Sequence, residues 1–538
     1  MGEGSWGLPI QPFIHKFPLA RLIRGKGPIF GDFIKPKIFM RRLLLLLSVC
    51  AAGAAQAQKI PDPRPFAKTI TRDDLKKHLY IVASKEFEGR ETATEGQRKA
   101  AAYIENHFRT LGLQPGAGSS YQLNYPVFQD SLESAELKVN DQAFVLDKDY
   151  FASVTTNYNA ELLGSEVVFA GYGISDSTRN DYKGLDVKGK IVLVLGGSPA
   201  GTPQPTGRRG AGFYSKQEAA QKNGAAGVLI FQPTVPRQLF ASKGNMYLSE
   251  YKKVIYPNSF YITEKVAQAI LGNDYKSALA GAPQAKPYAI NVKMNFRKNI
   301  LHLQSSDVLG FLEGSDLKDQ IVVISAHYDH LGKKDTVIYY GADDDGSGTV
   351  SVLELAEAFV KAKAAGKGPR RSILFLANSG EEKGLFGSQY YSEHPTYPLD
   401  KTVVDLNIDM IGRIDPNRKI GDSTNYVYVV GSDKLSTELK PISEGNNKKY
   451  SKLELDYKFD DPTDPERIYY RSDHYNFARK GVPIIFYFDG IHKDYHRPSD
   501  TPDKINYDIM EKRAQFVFYT AWEMANRNDM IKRDIPLN

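Results

Sequence analysis

Between residues 71 and 115 the hydrophobic residues recur every three or four positions. They form two groups, Leu75, Leu79 and Val82 followed by Ala101, Ile104, Phe108 and Leu111. This spacing places each group on one face of a helix. The segment therefore predicts two amphipathic helices.

From about residue 135 to residue 292 the helical spacing gives way to short β-rich runs. Loops rich in glycine and proline separate these runs, which include EVVFAGYGI, GKIVLVLGG and AAGVLIF. Short hydrophobic runs between turn residues are typical of β-strands. We therefore predict a separate β-rich domain inserted into the first one.

Beyond residue 293, hydrophobic strands alternate with amphipathic helices such as 347–366. The predicted strands are 320–326, 372–378, 402–408 and 483–488. Continuous runs of Val, Ile, Leu and Phe are typical of strands buried on both faces of a parallel sheet. The predicted fold class is therefore α/β, with a mostly parallel mixed sheet flanked by helices and a smaller β-rich inserted domain.

The 538 residues exceed what one compact core usually holds, which agrees with more than one domain. We divide the chain into an N-terminal extension with a signal peptide (1–57), a first part of the main domain (58–134), the inserted domain (135–292) and a second part of the main domain (293–538).

The net charge of +7 is concentrated at the N-terminus. Residues 1–57 contain eight lysines and arginines but only two acidic residues, which leaves a net charge of +1 for the rest of the chain. A nearly neutral body lacks the basic surface of a nucleic-acid-binding protein. Nucleic acids are therefore excluded as partners, and the composition does not indicate an oligomeric state.

Residues 40–57 have the order of features of a secretory signal peptide. Two arginines precede a short hydrophobic run, and Ala55-Gln56-Ala57 offers a cleavage site of small residues. The run is too short to cross a bilayer. We expect a secreted or periplasmic protein without stable membrane insertion after cleavage. Cys50, the only cysteine, lies in this segment, so the mature chain has no disulfide.

Chemically active side chains follow each of the four predicted strands. In chain order they are His327, then Glu381 with Glu382, then Asp409, then His492 with His496. The acidic triplet Asp343–Asp345 lies between the first two strands. Because ligands of open parallel sheets bind at the carboxyl ends of the strands, we expect these side chains to meet at one edge.

These residue types indicate a pair of metal ions. Histidine nitrogens and carboxylate oxygens are zinc ligands, and catalytic zinc keeps one position for water. Two such ions about 3.5–4 Å apart can share a ligand. Manganese or cobalt also suit an oxygen-rich site, so the residue types alone leave the choice of metal open.

The chain closely resembles the M28 family of di-zinc peptidases in five motifs, which occur in this order: SAHYDHLG, GADDDGSG, NSGEEKGLFGS, NIDMIGR and YHRPSDT. The resemblance covers about 70–115 and 293–525. The inserted stretch from KGKIVLV to GAAGVLIF resembles a protease-associated (PA) domain. The resemblance implies an exopeptidase that acts on peptides, with two zinc ions per chain and aminopeptidase activity as the first expectation; the signal peptide adds that it is secreted.

The resemblance assigns five residues to two zinc sites that share one ligand. One zinc would be held by His327, Asp344 and Asp409, and the other by Asp344, Glu382 and His496. Asp344 is therefore the expected bridge. The family's cis peptide bond is expected between Asp344 and Asp345.

Three further roles follow from the resemblance. Glu381 would be the general base over the hydroxide that bridges the metals. Asp329 would accept the second ring hydrogen of His327 and fix its tautomer. Tyr469, by its spacing of four residues from Asp473, would stabilise the oxyanion.

Other histidines and other functions remain as alternatives. His330, His474 and His492 are interpreted as structural residues. A carboxypeptidase or dipeptidase is the nearest alternative, because guanidinium groups suit a terminal carboxylate and are available from Arg467, Arg471, Arg497, Arg208 and Arg209. A single-zinc glutaminyl cyclase is less favoured, because the ligand set for two ions is complete. A non-catalytic binding protein is less favoured, because all five ligands and Glu381 are present.

Overall fold

The structure is a computed structural model that describes residues 60–199, 214–232, 242–250, 254–279 and 285–537. The predicted signal peptide at 40–57 lies outside these residues, as do Arg208 and Arg209. Among the helices that the structure describes, none is both long enough and hydrophobic enough to cross a membrane.

The helices of the described residues lie mostly outside the inserted segment. They are α1 (Arg64–Ala67), α2 (Arg72–Val82), α3 (Glu95–Thr110), α4 (Ser215–Lys222), α5 (Glu264–Leu271), α6 (Tyr275–Leu279), α7 (Gly348–Ala364), α8 (Phe386–Glu393), α9 (Leu439–Asn446), α10 (His474–Ala478) and α11 (Tyr507–Asn526). Helix α2 begins where the side chain of Thr71 accepts a hydrogen bond from the main-chain nitrogen of Asp74. Such a cap satisfies one of the free N–H groups of a first helical turn.

The strands belong to one large mixed sheet and one short hairpin. They are β1 (Gln114–Pro115), β2 (Gln122–Val139), β3 (Gln142–Phe144), β4 (Tyr150–Ala152), β5 (Ala160–Phe169), β6 (Ile191–Leu195), β7 (Gly227–Phe231), β8 (Lys243–Tyr247), β9 (Asn258–Ile262), β10 (Lys286–Leu312), β11 (Leu317–His327), β12 (Lys333–Lys334), β13 (Val337–Ile338), β14 (Arg371–Asn378), β15 (Thr402–Ile408), β16 (Tyr426–Val430), β17 (Glu454–Asp456) and β18 (Ile484–Phe488).

The centre of the large sheet is parallel. The strand order of the whole sheet is β17-β16-β18-β15-β11-β14-β10-β5-β6-β7-β9-β4, and β1, β2, β3 and β8 pair outside this order. Strands β14, β11, β15 and β18 run parallel, whereas β10 and β16 are antiparallel to their neighbours β14 and β18. Strands β14 and β15 are buried along their whole lengths, as a strand covered on both faces must be. The predicted α/β class is confirmed.

The predicted elements agree closely with the observed ones. The two N-terminal helices are α2 and α3, and their predicted hydrophobic faces are buried except at Leu111, which is partly buried. The predicted helix 347–366 is α7, and its first turn is preceded by the irregular π-helical turn Ala342–Ser347. The four predicted strands are β11, β14, β15 and β18, each within three residues of its predicted bounds.

The inserted segment has its own hydrophobic core but no break at its predicted boundaries. Its strands β5, β6, β7 and β9 are parallel and bury a cluster that includes Phe169, Leu193, Leu229 and Phe260. The predicted boundaries at 134/135 and 292/293 fall inside β2 and β10, which pair with each other over almost the whole length of β2. These boundaries stay predictions.

Candidate active site

The predicted site residues meet at one edge of the sheet. Strand β11 ends at His327, β14 ends three residues before Glu381, and β15 ends just before Asp409. Because these strands are parallel, their carboxyl ends point to the same side. The loop after β18 brings His496 to this edge as well.

Two groups of side chains meet on opposite sides of Asp344. His327 Nε2 lies 3.4 Å from Asp344 Oδ1 and 3.7 Å from Asp409 Oδ1. His496 Nε2 lies 3.1 Å from Asp344 Oδ2 and 3.1 Å from Glu382 Oε2. The two oxygens of Asp344 thus face different groups, as those of a bridging carboxylate would. All five predicted ligands are brought together, and their binding of metal stays a prediction.

The donor atoms of both groups fit zinc. His327 Nε2 and Asp344 Oδ2 are buried, and neither has a hydrogen-bond partner among the described residues. Buried polar atoms without partners are costly, so a bound cation would relieve this cost. Imidazole nitrogen and carboxylate oxygen are ligands that zinc uses.

The acidic neighbours of Asp344 hold the turn together. Asp343 Oδ1 accepts a hydrogen bond from the main-chain nitrogen of Gly412 at 2.7 Å. Asp345 Oδ1 accepts from the nitrogens of Gly348 (2.9 Å) and Met410 (3.0 Å), and its Oδ2 accepts from the nitrogen of His327 (3.2 Å). The peptide bond between Asp344 and Asp345 is cis, as expected. One acid of the triplet thus faces both ligand groups while the other two fix its position.

Two buried residues that the sequence did not single out also support this turn. Asp500 Oδ2 accepts hydrogen bonds from the main-chain nitrogens of Asp343 and Asp344, at 3.0 and 3.2 Å. The Arg90 guanidinium donates to the carbonyl oxygens of Val82, Tyr328, Tyr340 and Gly341, at 2.7–2.9 Å. Asp500 lies in the quoted motif YHRPSDT, whereas Arg90 has no spacing that would reveal it.

The adjacent glutamates Glu381 and Glu382 have opposite electrostatic environments. Burial raises the pKa of Glu381 well above its usual value, and His327 opposes this only in part. Burial and Asp344 also act to raise the pKa of Glu382, but hydrogen bonding to His330 and His496 outweighs them and lowers it to about 2. Glu381 therefore has the higher proton affinity, which suits a base, and Glu382 stays a carboxylate, which suits a metal ligand.

Asp329 is close to His327 but contacts other groups more directly. The nearest acceptor for His327 Nδ1 is the main-chain oxygen of Asp329, at 3.1 Å, whereas the Asp329 carboxylate is 3.7 Å away. That carboxylate accepts from Thr92 Oγ1 at 2.6 Å and from the main-chain nitrogen of Glu381 at 3.2 Å. The predicted side-chain bond to His327 is thus replaced by a main-chain bond, because the carboxylate turns toward Glu381.

A cavity opens beside Asp344, Glu381 and Asp409. Its remaining walls are mostly hydrophobic and are formed by Met410, Ile468, Phe486, Phe488 and Ile491, together with Arg471 and Tyr495.

Tyr469 is not among the residues that line this cavity, although it packs against the hydrophobic cluster that forms part of its wall. In the short turn Ile468–Tyr470 the Ile468 side chain lines the cavity, whereas the Tyr469 ring packs against Tyr470, His474 and Tyr475. The tyrosine at the cavity is Tyr495, whose hydroxyl accepts a hydrogen bond from Arg471 Nη2 at 3.1 Å. Its position directly before His496 was the signal available in the sequence.

The three histidines interpreted as structural differ in their surroundings. His474 Nε2 lies 2.9 Å from the main-chain oxygen of Tyr469, and His492 Nε2 lies 3.1 Å from Asp343 Oδ2. His330 is fully buried, and its Nδ1 lies within 4.8 Å of oxygens of both Asp344 and Glu382. His330 therefore lies against two of the predicted ligands, and its interpretation from sequence as a structural residue stays a prediction.

Two segments of the chain match models of known protein families. Residues 307–521 match Peptidase family M28, and residues 159–270 match the PA domain. A probable leucine aminopeptidase of Trichophyton verrucosum is 30% identical over 214 residues, which cover 38% of this chain and 55% of that protein. The chain thus spans about half the length of this relative.

Two longer matches cover most of the chain. Aminopeptidase YwaD of Bacillus subtilis is 23% identical over 520 residues, which cover 91% of this chain and 95% of that protein. A crystal structure of a zinc aminopeptidase from Bacillus subtilis aligns with a TM-score of 0.51 at 20% identity, covering 89% of this chain and 100% of that one. At this identity, the structural match supports the fold.

The close packing around Gly341 can be tested with a matched glycine. Gly341 has φ +55°, and a Cβ there would lie 2.3 Å from the Asp344 carbonyl oxygen and 2.4 Å from His330 Cγ. Gly112 has φ +75° and nothing within 4 Å of such a Cβ. Both Gly→Ala changes add left-handed strain of about 1–2 kcal/mol, but only Gly341→Ala adds a collision. We expect Gly341→Ala to lose zinc and to unfold at lower urea than Gly112→Ala. Equal zinc content and equal urea midpoints would contradict this interpretation.

Proposed function

We propose that the chain is a di-zinc aminopeptidase of peptidase family M28, the family that residues 307–521 match, and that it removes N-terminal residues from peptides. The observation that carries the proposal is the position of Glu381. Its Oε2 lies 4.0 Å from His327 Nε2, and Glu381 lines the cavity together with Asp344 and Asp409. Glu381, whose pKa is raised by burial, thus lies beside the predicted ligands.

The five predicted ligands would hold the metal in two groups joined by Asp344. Zinc bound there would activate a water molecule and polarise the scissile carbonyl. The two carboxylate oxygens of Asp344 would keep the groups in register, because each oxygen faces one group.

Proton transfer falls to Glu381. Its raised pKa lets it take a proton from the attacking water and return it to the leaving amine. The main-chain hydrogen bond from Glu381 to Asp329 fixes the start of this residue's turn. Glu382 keeps its negative charge throughout and stays with the metal ligands.

The cavity supports a preference for hydrophobic N-terminal side chains. Its walls include Met410, Ile468, Phe486 and Phe488, which would bury a leucine-like side chain. The carboxylates at its other end would face the free α-amine. A carboxypeptidase is the second candidate, because Arg471 lines the same cavity and its guanidinium would suit a terminal carboxylate.

Substrate blocking separates the two candidates. We expect hydrolysis of peptides with a free α-amine and little cleavage after acetylation of that amine, because acetylation removes the charge that would face the carboxylates. Mass spectrometry of the products shows which end is trimmed. A matched peptide amidated at its C-terminus is the control, and its turnover should match that of the free peptide. Loss of turnover with the amidated peptide, but not with the acetylated one, would favour the carboxypeptidase.

The two glutamates should respond differently to the same substitution. Glu381→Gln keeps the size of the side chain and removes the proton acceptor, so kcat should fall by roughly 10²–10⁴ with zinc retained. The acidic limb of the rate should also disappear, because activity rises with pH as Glu381 loses its proton. Glu382→Gln should lose zinc together with activity, and added zinc should restore part of both.

Zinc content and kcat, measured on the same preparations, check these roles. If Glu381→Gln loses zinc while Glu382→Gln keeps it, the two roles are reversed. Near-normal turnover by Glu381→Gln would contradict the hydrolytic mechanism itself.

Export is a further part of the proposal. The arginine pair, the hydrophobic run and the small residues before Gln58 support cleavage after Ala57 in the cell envelope. N-terminal sequencing of the protein expressed in a bacterium should therefore begin at Gln58. Ala57→Tyr should remain uncleaved, because the cleavage site requires a small residue there. Cytoplasmic protein that retains residues 40–57 would contradict export.

A further inference from the structure

His330 contacts the carboxylate oxygen of Glu382 that His496 does not face. Its Nδ1 lies 2.8 Å from Glu382 Oε1, and both are buried polar atoms that have no hydrogen-bond partner among the described residues. The other oxygen of Glu382, Oε2, lies 3.1 Å from His496 Nε2. The two oxygens of Glu382 are thus divided between two histidines.

The ring of His330 is fixed by its surroundings. Its side chain is fully buried, and its main-chain nitrogen donates to the carbonyl oxygen of Arg90 at 3.3 Å. Gly341 packs so closely on the ring that a Cβ there would lie 2.4 Å from His330 Cγ. The ring therefore has little freedom to turn away from Glu382.

The distances favour a supporting role over direct ligation. His330 Nδ1 is 3.8 Å from Asp344 Oδ2, a full ångström farther than from Glu382 Oε1. The nearer of these two carboxylate oxygens is Glu382 Oε1, whereas His496 contacts Glu382 Oε2. Outer residues that hold ligating carboxylates by hydrogen bonds commonly set metal affinity.

We propose that His330 is a positioning residue of the second metal site, which donates from Nδ1 to Glu382 Oε1 and so presents Oε2 to the ion shared with Asp344 and His496. This inference rests on the two-metal site of the proposed function. The loss of His330 leaves the carboxylate of Glu382 free to rotate, so the second ion is held less tightly. The ion at His327 and Asp409 keeps its ligands.

Metal titration of three variants tests the role without relying on activity. Metal-free protein is titrated with zinc against a competing chromophoric chelator. His330→Ala should weaken one of two ions by about 10–100-fold and leave the other unchanged. His330→Asn should restore most of that loss, because its amide N–H can replace the donor at Nδ1. His302→Ala, at an exposed histidine of β10, is the control and should titrate like the wild type.

Three results would overturn the inference. They are unchanged binding of both ions by His330→Ala, equal weakening of both ions, and a His330→Asn variant as weak as His330→Ala. The last result would make the imidazole itself the required group. A wild-type protein that binds one ion would instead contradict the two-metal site, and the positioning role would fall with it. Wild-type binding of two ions together with unchanged His330→Ala contradicts the positioning role alone.

Discussion

The candidate site depends on how the chain buries three consecutive aspartates. Buried carboxylates are unfavourable unless hydrogen bonds or cations satisfy them. Here main-chain N–H groups at His327, Gly348, Met410 and Gly412 supply much of that compensation. Those groups lie at or just beyond the ends of β11 and β15 and at the start of α7. The hydrogen bonds that compensate for the burial of these carboxylates therefore also hold the ligand-bearing segments against the turn Ala342–Ser347.

The same principle explains why two neighbouring glutamates can do different work. Both are removed from water, which by itself favours the protonated form. Histidines stand beside Glu382 at both of its oxygens and keep it ionised, whereas Glu381 faces His327 from 4.0 Å and stays basic. The opposite pKa shifts of the two glutamates come largely from the placement of His330 and His496 beside Glu382, since the two side chains are chemically identical.

The sequence predicted most of the scaffold because its signals were local and redundant. Uninterrupted hydrophobic runs marked β11, β14, β15 and β18, and polar residues at their ends marked the edge where ligands meet. The five predicted ligands lie together for that reason. The sequence did not identify the tyrosine that lines the cavity. Spacing favoured Tyr469, but the structure has Ile468 and Tyr495 among the lining residues instead.

Other features depend on long-range packing that a single sequence does not encode visibly. Arg90 reaches carbonyl oxygens as far away in the chain as Gly341, and no periodicity marks it. The Asp329 carboxylate turns toward Thr92 and Glu381, a choice set by segments far from it in the chain. Nothing in the sequence distinguishes His330 from other buried histidines, because its contact with Glu382 arises only in the fold.

The inserted segment also makes contacts with the main domain that its sequence did not indicate. Its composition predicts a separate module, yet its strand β8 pairs with β2 and contacts the turn Glu381–Lys383. Met246 and Leu248 pack against a small cluster formed by Tyr125, Val127 and Phe386. The Tyr125 hydroxyl donates to the carbonyl oxygen of Ser379, two residues before Glu381, at 2.7 Å. The insertion thus shares a hydrophobic cluster with the support of the proposed base, so its packing and the geometry of Glu381 are physically linked.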